Sequence, residues 1–323
     1  MTSRTDPLYP DQWHFDLLRL IERLWDDYSG AGVSVAVYDD GVQYDHPDLE
    51  DRYDPTLHFV FGGSTRDPYP TEGFQFRGTA VAGLIGASWD NGEGGAGVAG
   101  EVGLTGVSTL FDTTTERTAA FAHMEAFDVA AYVIGSVPRF SSSQSLADPG
   151  STTFADVAAL SGAVADGREG LGTVVLLSAG HNNGNANGDG LNATRYTVSV
   201  AGLDRDGMAL EFGNWGANLL VSTAAAGVTT DLTGADGRSP GDYSRDDDLA
   251  GGETGLAAGV VALMLEAAPG LGWRDVQEIL AVTARHTGSE YGAGSAGFEQ
   301  GEWFSNSAGT WNGGGMTYHL SYG

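Results

Sequence analysis

The chain has 323 residues, 41% of them hydrophobic, with 43 acidic residues against 15 basic ones and no cysteine. Those figures allow a sizeable core and exclude disulfide and thiol chemistry. A formal net charge of −28 argues against nucleic acid or anionic membranes as partners, and favours cations.

Every basic residue is arginine, and no apolar run approaches the ~18 residues of a membrane helix. The opening residues, MTSRTDPLYPDQWHF, hold no apolar core of the signal-peptide kind. From His14, HFDLLRLIERLWDDY spaces its apolar residues as one amphipathic helix. GVSVAVYDDG predicts a buried parallel strand whose carboxyl end carries Asp39 and Asp40. GFQFRGTAVAGLIGA predicts a tightly packed helix with Arg77 in its first turn, and the polar loop WDNGEGGAG follows. A cation at that end opposes the helix dipole, at roughly 0.3–1 kcal/mol unless a carboxylate faces it. RTAAFAHMEAFDVAAYVIGSV runs from helix into strand, and TFADVAALSGAVADGREG is a helix with a glycine stop. GTVVLLSAGHNNGNANGDG is a strand leaving into a Gly/Asn loop, and RYTVSVAGLD and NLLVSTAAAG are further strands. Two helices close the pattern, GETGLAAGVVALMLEAAP and GWRDVQEILAVTA. The alternation predicts an α/β fold with helices on both faces of a mostly parallel sheet, its site at the carboxyl ends of the strands. No linker divides the chain, so a single domain over residues 1–323 is expected.

Five blocks, in this order, resemble the subtilase family, nearer its kexin-like branch. DPLYPDQWHF resembles the opening of the mature kexin-like domain. VAVYDDGVQYDHPDL resembles the block of the catalytic aspartate, and RGTAVAGLIGA the histidine block. LLSAGHNNGNANGDG resembles the block of the oxyanion asparagine. LAGGETGLAAGVVALMLEAAPGLGWRDVQEIL resembles the serine block and its helix. The resemblance implies a subtilisin-like three-layer αβα fold. It also implies that MTYHLSYG leads towards a final family helix that this chain does not contain.

The resemblance places Asp39 at the acid position, Arg77 at the histidine base, His181 at the oxyanion asparagine and Gly251 at the serine. Reading GGET as the family's Gly-Gly-Thr-Ser would instead put Thr254 at the nucleophile. That alignment deletes three residues and rotates the following helix by about 300°. Arginine cannot act as a general base and glycine offers no nucleophile, so hydrolysis is expected to be lost. An ion pair between Arg77 and Asp39 is expected in its place, Arg77→Ala is expected to destabilise more than Gly251→Ala, and only Arg77→His combined with Gly251→Ser is expected to recover a triad with Asp39. Glu253 is expected to serve the first turn of its helix. His181 reads as a polar loop residue, and His14, His46, His58, His123, His286 and His319 show no metal spacing. Pro138, in IGSVPRF, removes a donor from the run where the family pairs with substrate backbone. LLSAG around Ser178 fails as a nucleophile elbow because Leu176 replaces its first glycine.

The family's tight calcium site, carried across by resemblance, matches side chains of Asp6, Asp48 and Asn91 and carbonyls of Ser88, Glu93 and Gly95. Oxygen donors of this kind suit Ca2+. The expected protein is therefore a calcium-bound pseudoprotease, secreted as the family is, serving as a structural domain or binding a peptide or protein ligand. The alternative is an active serine-type endopeptidase with a rearranged site, or another hydrolase using His181 and Glu253.

Overall fold

The computed structural model describes residues 4–19, 21–135, 137–140, 148–225, 227–245, 249–295, 297–306 and 315–323. In chain order the first elements are α1 (His14–Leu18), α2 (Ile21–Leu24), β1 (Ser34–Asp39), β2 (Val60–Phe61), β3 (Ser64–Thr65), α3 (Arg77–Gly86) and β4 (Gly103–Ser108). Then come α4 (Thr114–His123), β5 (Val129–Tyr132), α5 (Thr152–Asp166), β6 (Val174–Ser178), β7 (Thr197–Leu203) and β8 (Leu219–Ala224). The last are β9 (Thr229–Thr230), β10 (Tyr243–Ser244), α6 (Gly252–Ala267), α7 (Trp273–Thr283), β11 (Phe304–Ser305) and β12 (Thr317–Tyr318).

Six strands form the central sheet in the order β4-β1-β5-β6-β7-β8, every neighbouring pair parallel. β6 and β7 are buried at every residue, which is why both read as continuous apolar runs rather than alternating ones. α3 and α6 pack on each other and on the sheet, while α4 and α5 form a second pair. Tyr38 of β1 ties that second pair down, its hydroxyl donating to the Ala120 carbonyl of α4 at 3.1 Å. The result is a three-layer αβα fold, as the sequence predicts.

Two elements differ from the sequence reading. The helix expected from His14 is broken: Arg19, at φ 39°, leaves helical backbone between α1 and α2. In one continuous helix Phe15 and Trp25 would stand about 15 Å apart along the axis. In the fold their rings meet at 5.0 Å, and Trp25 also packs on Trp89 at 5.1 Å. Aromatic burial outweighs local periodicity there. β4 is the second difference: its two glycines in GLTGVS hide the strand signal, yet it forms the edge of the sheet.

Parallel topology gathers the carboxyl ends of β1 and β6 at one edge of the layers, where the first turns of α3 and α6 also begin. Gly78 makes this possible at α3. A Cβ there would clash with the Gly41 carbonyl oxygen and sit 3.1 Å from Asp39 Cβ, so only glycine lets the helix start against the end of β1.

Candidate active site

Asp39 ends β1 and is fully buried. Arg77 opens α3 and grips that carboxylate. Its Nε donates to Oδ1 and Oδ2 at 2.9 Å each, and Nη2 donates to Oδ1 at 2.5 Å. The expected ion pair is present, in the fork geometry that suits guanidinium on carboxylate. It supplies the negative charge that offsets an arginine at a helix N-terminus. Asp40 adds to this, accepting the Gly78 N–H at 2.9 Å. Burial pushes the Asp39 carboxyl up, against the pull of Arg77. Burial and the neighbouring Asp39 charge push Asp40 to about 7.

Gly251 caps α6 at φ 95°, a left-handed conformation. A Cβ there would clash with Val133 Cγ1. Backbone hand and packing both favour glycine there, which weighs against a serine at this position recovering a triad with Asp39. Thr254 lies fully buried in the first turn of α6. Gly251, also buried, is the N-cap of the same helix.

Glu253, also fully buried, collects the groups around it. Its Oε1 accepts the Ser178 hydroxyl at 2.6 Å and lies 3.2 Å from His181 Nε2. Its Oε2 accepts the Gly251 N–H at 3.1 Å, while His181 Nε2 stands 3.3 Å from that same nitrogen. The carboxylate does sit in the first turn of α6, as predicted, and it also holds His181, a contact the sequence reading raises only in its alternative. Ser178 is 1% exposed and accepts the Gly180 N–H, so its hydroxyl is sealed below the surface. Asn214, which the sequence reading misses, fixes the loop that carries His181. Its Oδ1 accepts the N–H groups of Asn182 and Gly184 at 3.0 and 2.8 Å, and its Nδ2 donates to the Ala179 carbonyl at 2.8 Å. Its position in a loop remote in sequence gives no motif to read.

Arg77, His181 and Asp40 face a cleft of about 320 Å³. Phe74, Phe76, Phe212, Arg238, Leu249 and Ala250 complete its walls. Residues 137–140, including Pro138, lie in no strand of the chain itself, and the Arg139 N–H donates to the Gly188 carbonyl at 3.1 Å.

The residues carried over as calcium ligands come together at the N-terminal arm. Asp6 accepts the N–H groups of Asp90 and Asn91 at 3.0 and 3.2 Å, and Asn91 Nδ2 donates to Asp48 Oδ1 at 2.7 Å. Ser88 N–H donates to the Asp48 carbonyl at 3.0 Å, and Glu93 N–H to Asn91 Oδ1 at 2.9 Å. Gly95 is buried beside Gln12. Arg4 steers the arm, its guanidinium 3.7 Å from the Trp89 ring centroid and 2.9 Å from Asp90 Oδ2. The set could hold a hard cation. Asp48 Oδ2 is buried, with the Tyr243 hydroxyl facing it but outside regular hydrogen-bond geometry. Burial, aided by the Asp6 charge, pushes the Asp48 carboxyl to about 6. A divalent ion would relieve both, once the Asn91 amide turned its oxygen inwards. Among the described residues no three His, Asp or Glu side chains converge on a metal position, and this set instead combines two carboxylates, an amide and carbonyls.

A parallel six-stranded sheet, with an acid ending β1 and two helix starts facing it, defines the subtilisin-like class of α/β folds. The chain belongs to the subtilase family, whose model matches residues 30–301. It is 30% identical over 337 residues to human proprotein convertase subtilisin/kexin type 7, covering 94% of this chain and 39% of that protein. Human furin is 30% identical over 316 residues, covering 87% of this chain and 36% of furin. The chain therefore spans about two fifths of the length of these curated relatives. Among solved structures, the serine protease of Aeromonas sobria superposes with a TM-score of 0.81 at 25% identity, over all of this chain and 66% of that one. A cold-adapted subtilisin-like serine proteinase shares the fold at a TM-score of 0.61 and 20% identity, over 92% of this chain and 91% of its own.

Proposed function

We propose that this domain is a subtilase-fold module that binds or scaffolds without hydrolysing peptide bonds. The grip of Arg77 on Asp39 carries the reading. In a peptidase of this class an aspartate orients a base, and the base takes the proton from a hydroxyl nucleophile. Here the aspartate is ion-paired to a group that cannot accept a proton. Gly251, which the family resemblance puts at the nucleophile position, offers no hydroxyl and holds a conformation that strains any side chain. Glu253 supports the same conclusion. It holds the Gly251 N–H and His181, the two groups placed where an oxyanion would need donors, against a buried carboxylate. A negative charge already bonded to those donors opposes the formation of another.

In this proposal Asp6, Asp48 and Asn91, with the carbonyls of Ser88, Glu93 and Gly95, hold Ca2+. The ion supplies stability by tying the N-terminal arm to the loop after α3. Similarity to convertases supports a secreted protein, and the cleft supports a peptide or protein ligand. A fluorophosphonate probe and a fluorogenic peptide panel test the reading, with heat-killed protein as control. No labelling and no turnover are expected, and either one above the control overturns it. The 3.2 Å approach of His181 to Glu253 favours one rival, a hydrolase using that pair. Turnover abolished by His181→Ala would establish it.

A further inference from the structure

A second concave surface lies away from the candidate active site. It is a groove of about 1110 Å³ between α1, α7 and β8, an edge strand of the sheet. Among the described residues it shares none with the cleft at Arg77. Leu18 of α1, Leu219 of β8, Val260 of α6, Leu280 of α7 and the ring of Trp303 give it apolar walls. Val282 also lines it and is 43% exposed, so the groove opens to solvent. A contiguous apolar surface left open in this way marks a binding site. The volume matches the upper end of small-molecule sites, which run to about 1,000 Å³.

Charge sets this groove apart from the rest of the surface. The chain holds 43 acidic residues against 15 arginines, yet among the described residues no Asp or Glu lines the groove. Arg19 and Arg285 do line it, and both are exposed. Arginines elsewhere take carboxylate partners, as Arg66 does with Glu116 and Arg117 with Asp156, each at 2.6 Å. Among the described residues the guanidinium groups of Arg19 and Arg285 have neither a hydrogen bond nor an ion pair. They stand near each other instead: partial burial and the Arg19 charge hold Arg285 below its ordinary value. Arg19 reaches this place from a left-handed backbone, at φ 39° between α1 and α2, a strain for any residue but glycine. The Thr223 hydroxyl of β8 also lines the groove, buried and without a hydrogen-bond partner.

We infer that this groove binds a monomeric amphiphile with a carboxylate head and a long aliphatic tail, the head between Arg19 and Arg285 and the tail along the apolar walls. Guanidinium forks suit a carboxylate, and the tail takes the walls out of water. A cationic ligand would meet two arginines. A small anion such as acetate would leave the walls wet. An anionic bilayer is a poor source of the ligand, because a net charge of −28 repels it. The inference does not depend on whether the domain hydrolyses peptides.

Isothermal titration calorimetry tests it, at about 0.15 M salt and below the micelle concentration of every ligand. The ligands are acetate, decanoate, dodecanoate and 1-decanol. Dodecanoate should bind at one site, about 15-fold more tightly than decanoate, from about fourfold per buried CH₂. 1-Decanol should bind at least about tenfold more weakly than decanoate, and acetate should give no heat. Arg285→Glu should bring decanoate down to the level of 1-decanol. Val282→Asp, at an exposed position, should weaken both. Melting curves of each variant verify the fold. Equal binding of decanoate and 1-decanol would mean an apolar face without anion recognition. A dimer in light scattering that Val282→Asp dissolves would mean that the face seats a second copy. Either result overturns the inference. So does the absence of binding, binding to anionic vesicles alone, or an affinity indifferent to both variants.

Discussion

Arg77 and Asp39 form an ion pair, and the buried Asp39 depends on it. Asp39 is fully buried, and the Arg77 side chain is 29% exposed. Removing one partner of such a pair strands the other charge, at roughly 3–5 kcal/mol. Arg77→Ala should therefore lower the urea midpoint by that free energy. The double variant Arg77→Leu with Asp39→Asn should recover most of the loss. A cost below about 1 kcal/mol for Arg77→Ala would mean that the pair contributes little. His14 gives a second prediction at this scale. It is fully buried, neither ring nitrogen has a hydrogen-bond partner, and burial lowers it to about 3. The unfolded chain thus binds a proton near pH 6.5 that the folded chain refuses until about pH 3. Stability is full above pH 6.5, falls as pH drops below it, and has lost about 2 kcal/mol by pH 5. His46, His58, His123 and His319 are lowered by burial too, so they share the acid slope. His14→Phe should remove one proton's share of that slope, read from denaturation midpoints at pH 5 and pH 7. An unchanged slope would show that His14 is solvated in solution.

The two helices that meet at the site begin without ordinary side-chain caps. At α3 the N-cap is Phe76, which makes no capping bond, and at α6 it is Gly251. Carboxylates do the capping instead: Asp40, from outside α3, bonds the Gly78 N–H, and Glu253, in the first turn of α6, reaches back to the Gly251 N–H. This arrangement ranks the variants of α6. Glu253→Gln keeps a hydrogen-bonding shape and should cost about 1 kcal/mol. Glu253→Ala leaves the Ser178 hydroxyl and the Gly251 N–H without their acceptor and should cost several times more, in the same urea titration. Gly251→Ser must adopt a left-handed conformation against Val133, a strain of about 1–3 kcal/mol. It should melt lower and show no turnover, alone or combined with Arg77→His. Restored hydrolysis in the double variant would mean that the end of α6 rearranges to admit the serine. The helix positions were legible because apolar period and glycine stops are local signals. The break at Arg19 and the edge strand β4 were not, since both are decided by neighbours from elsewhere in the chain.

Across the whole molecule, the negative charge and the N-terminal arm set how stability responds to ions. Asp6, Asp48 and Asn91 bring the arm, the segment after β1 and the loop after α3 to one place. An ion that binds only the folded state adds about 2.7 kcal/mol at 100-fold over its dissociation constant. Millimolar calcium should raise the melting temperature above that in chelator at matched ionic strength, and Asp48→Asn should remove most of the gain. An identical melting temperature in both conditions would rule out a calcium site here. Monovalent salt should stabilise the chain more weakly by screening its excess of acids, with no dependence on Asp48.

The sequence alone determined the fold family and the positions that matter, because ordered blocks and apolar periodicity are written in consecutive residues. The proposal that Arg77 stands in place of a base and Gly251 in place of a nucleophile comes from two positions, since chemistry forbids what those side chains cannot do. Only the tertiary structure decided what the altered residues do instead. Arg77 could have turned to solvent, and the end of β1 and the start of α3 place a carboxylate in its reach. His181 and Glu253 belong to separate blocks, and the sheet and α6 bring them together over buried Ser178. The left-handed turn at Gly251 and the aromatic rim of Phe74 and Phe212 leave no local pattern. They arise where loops distant in the chain are packed together, and packing distances are not encoded in any single stretch.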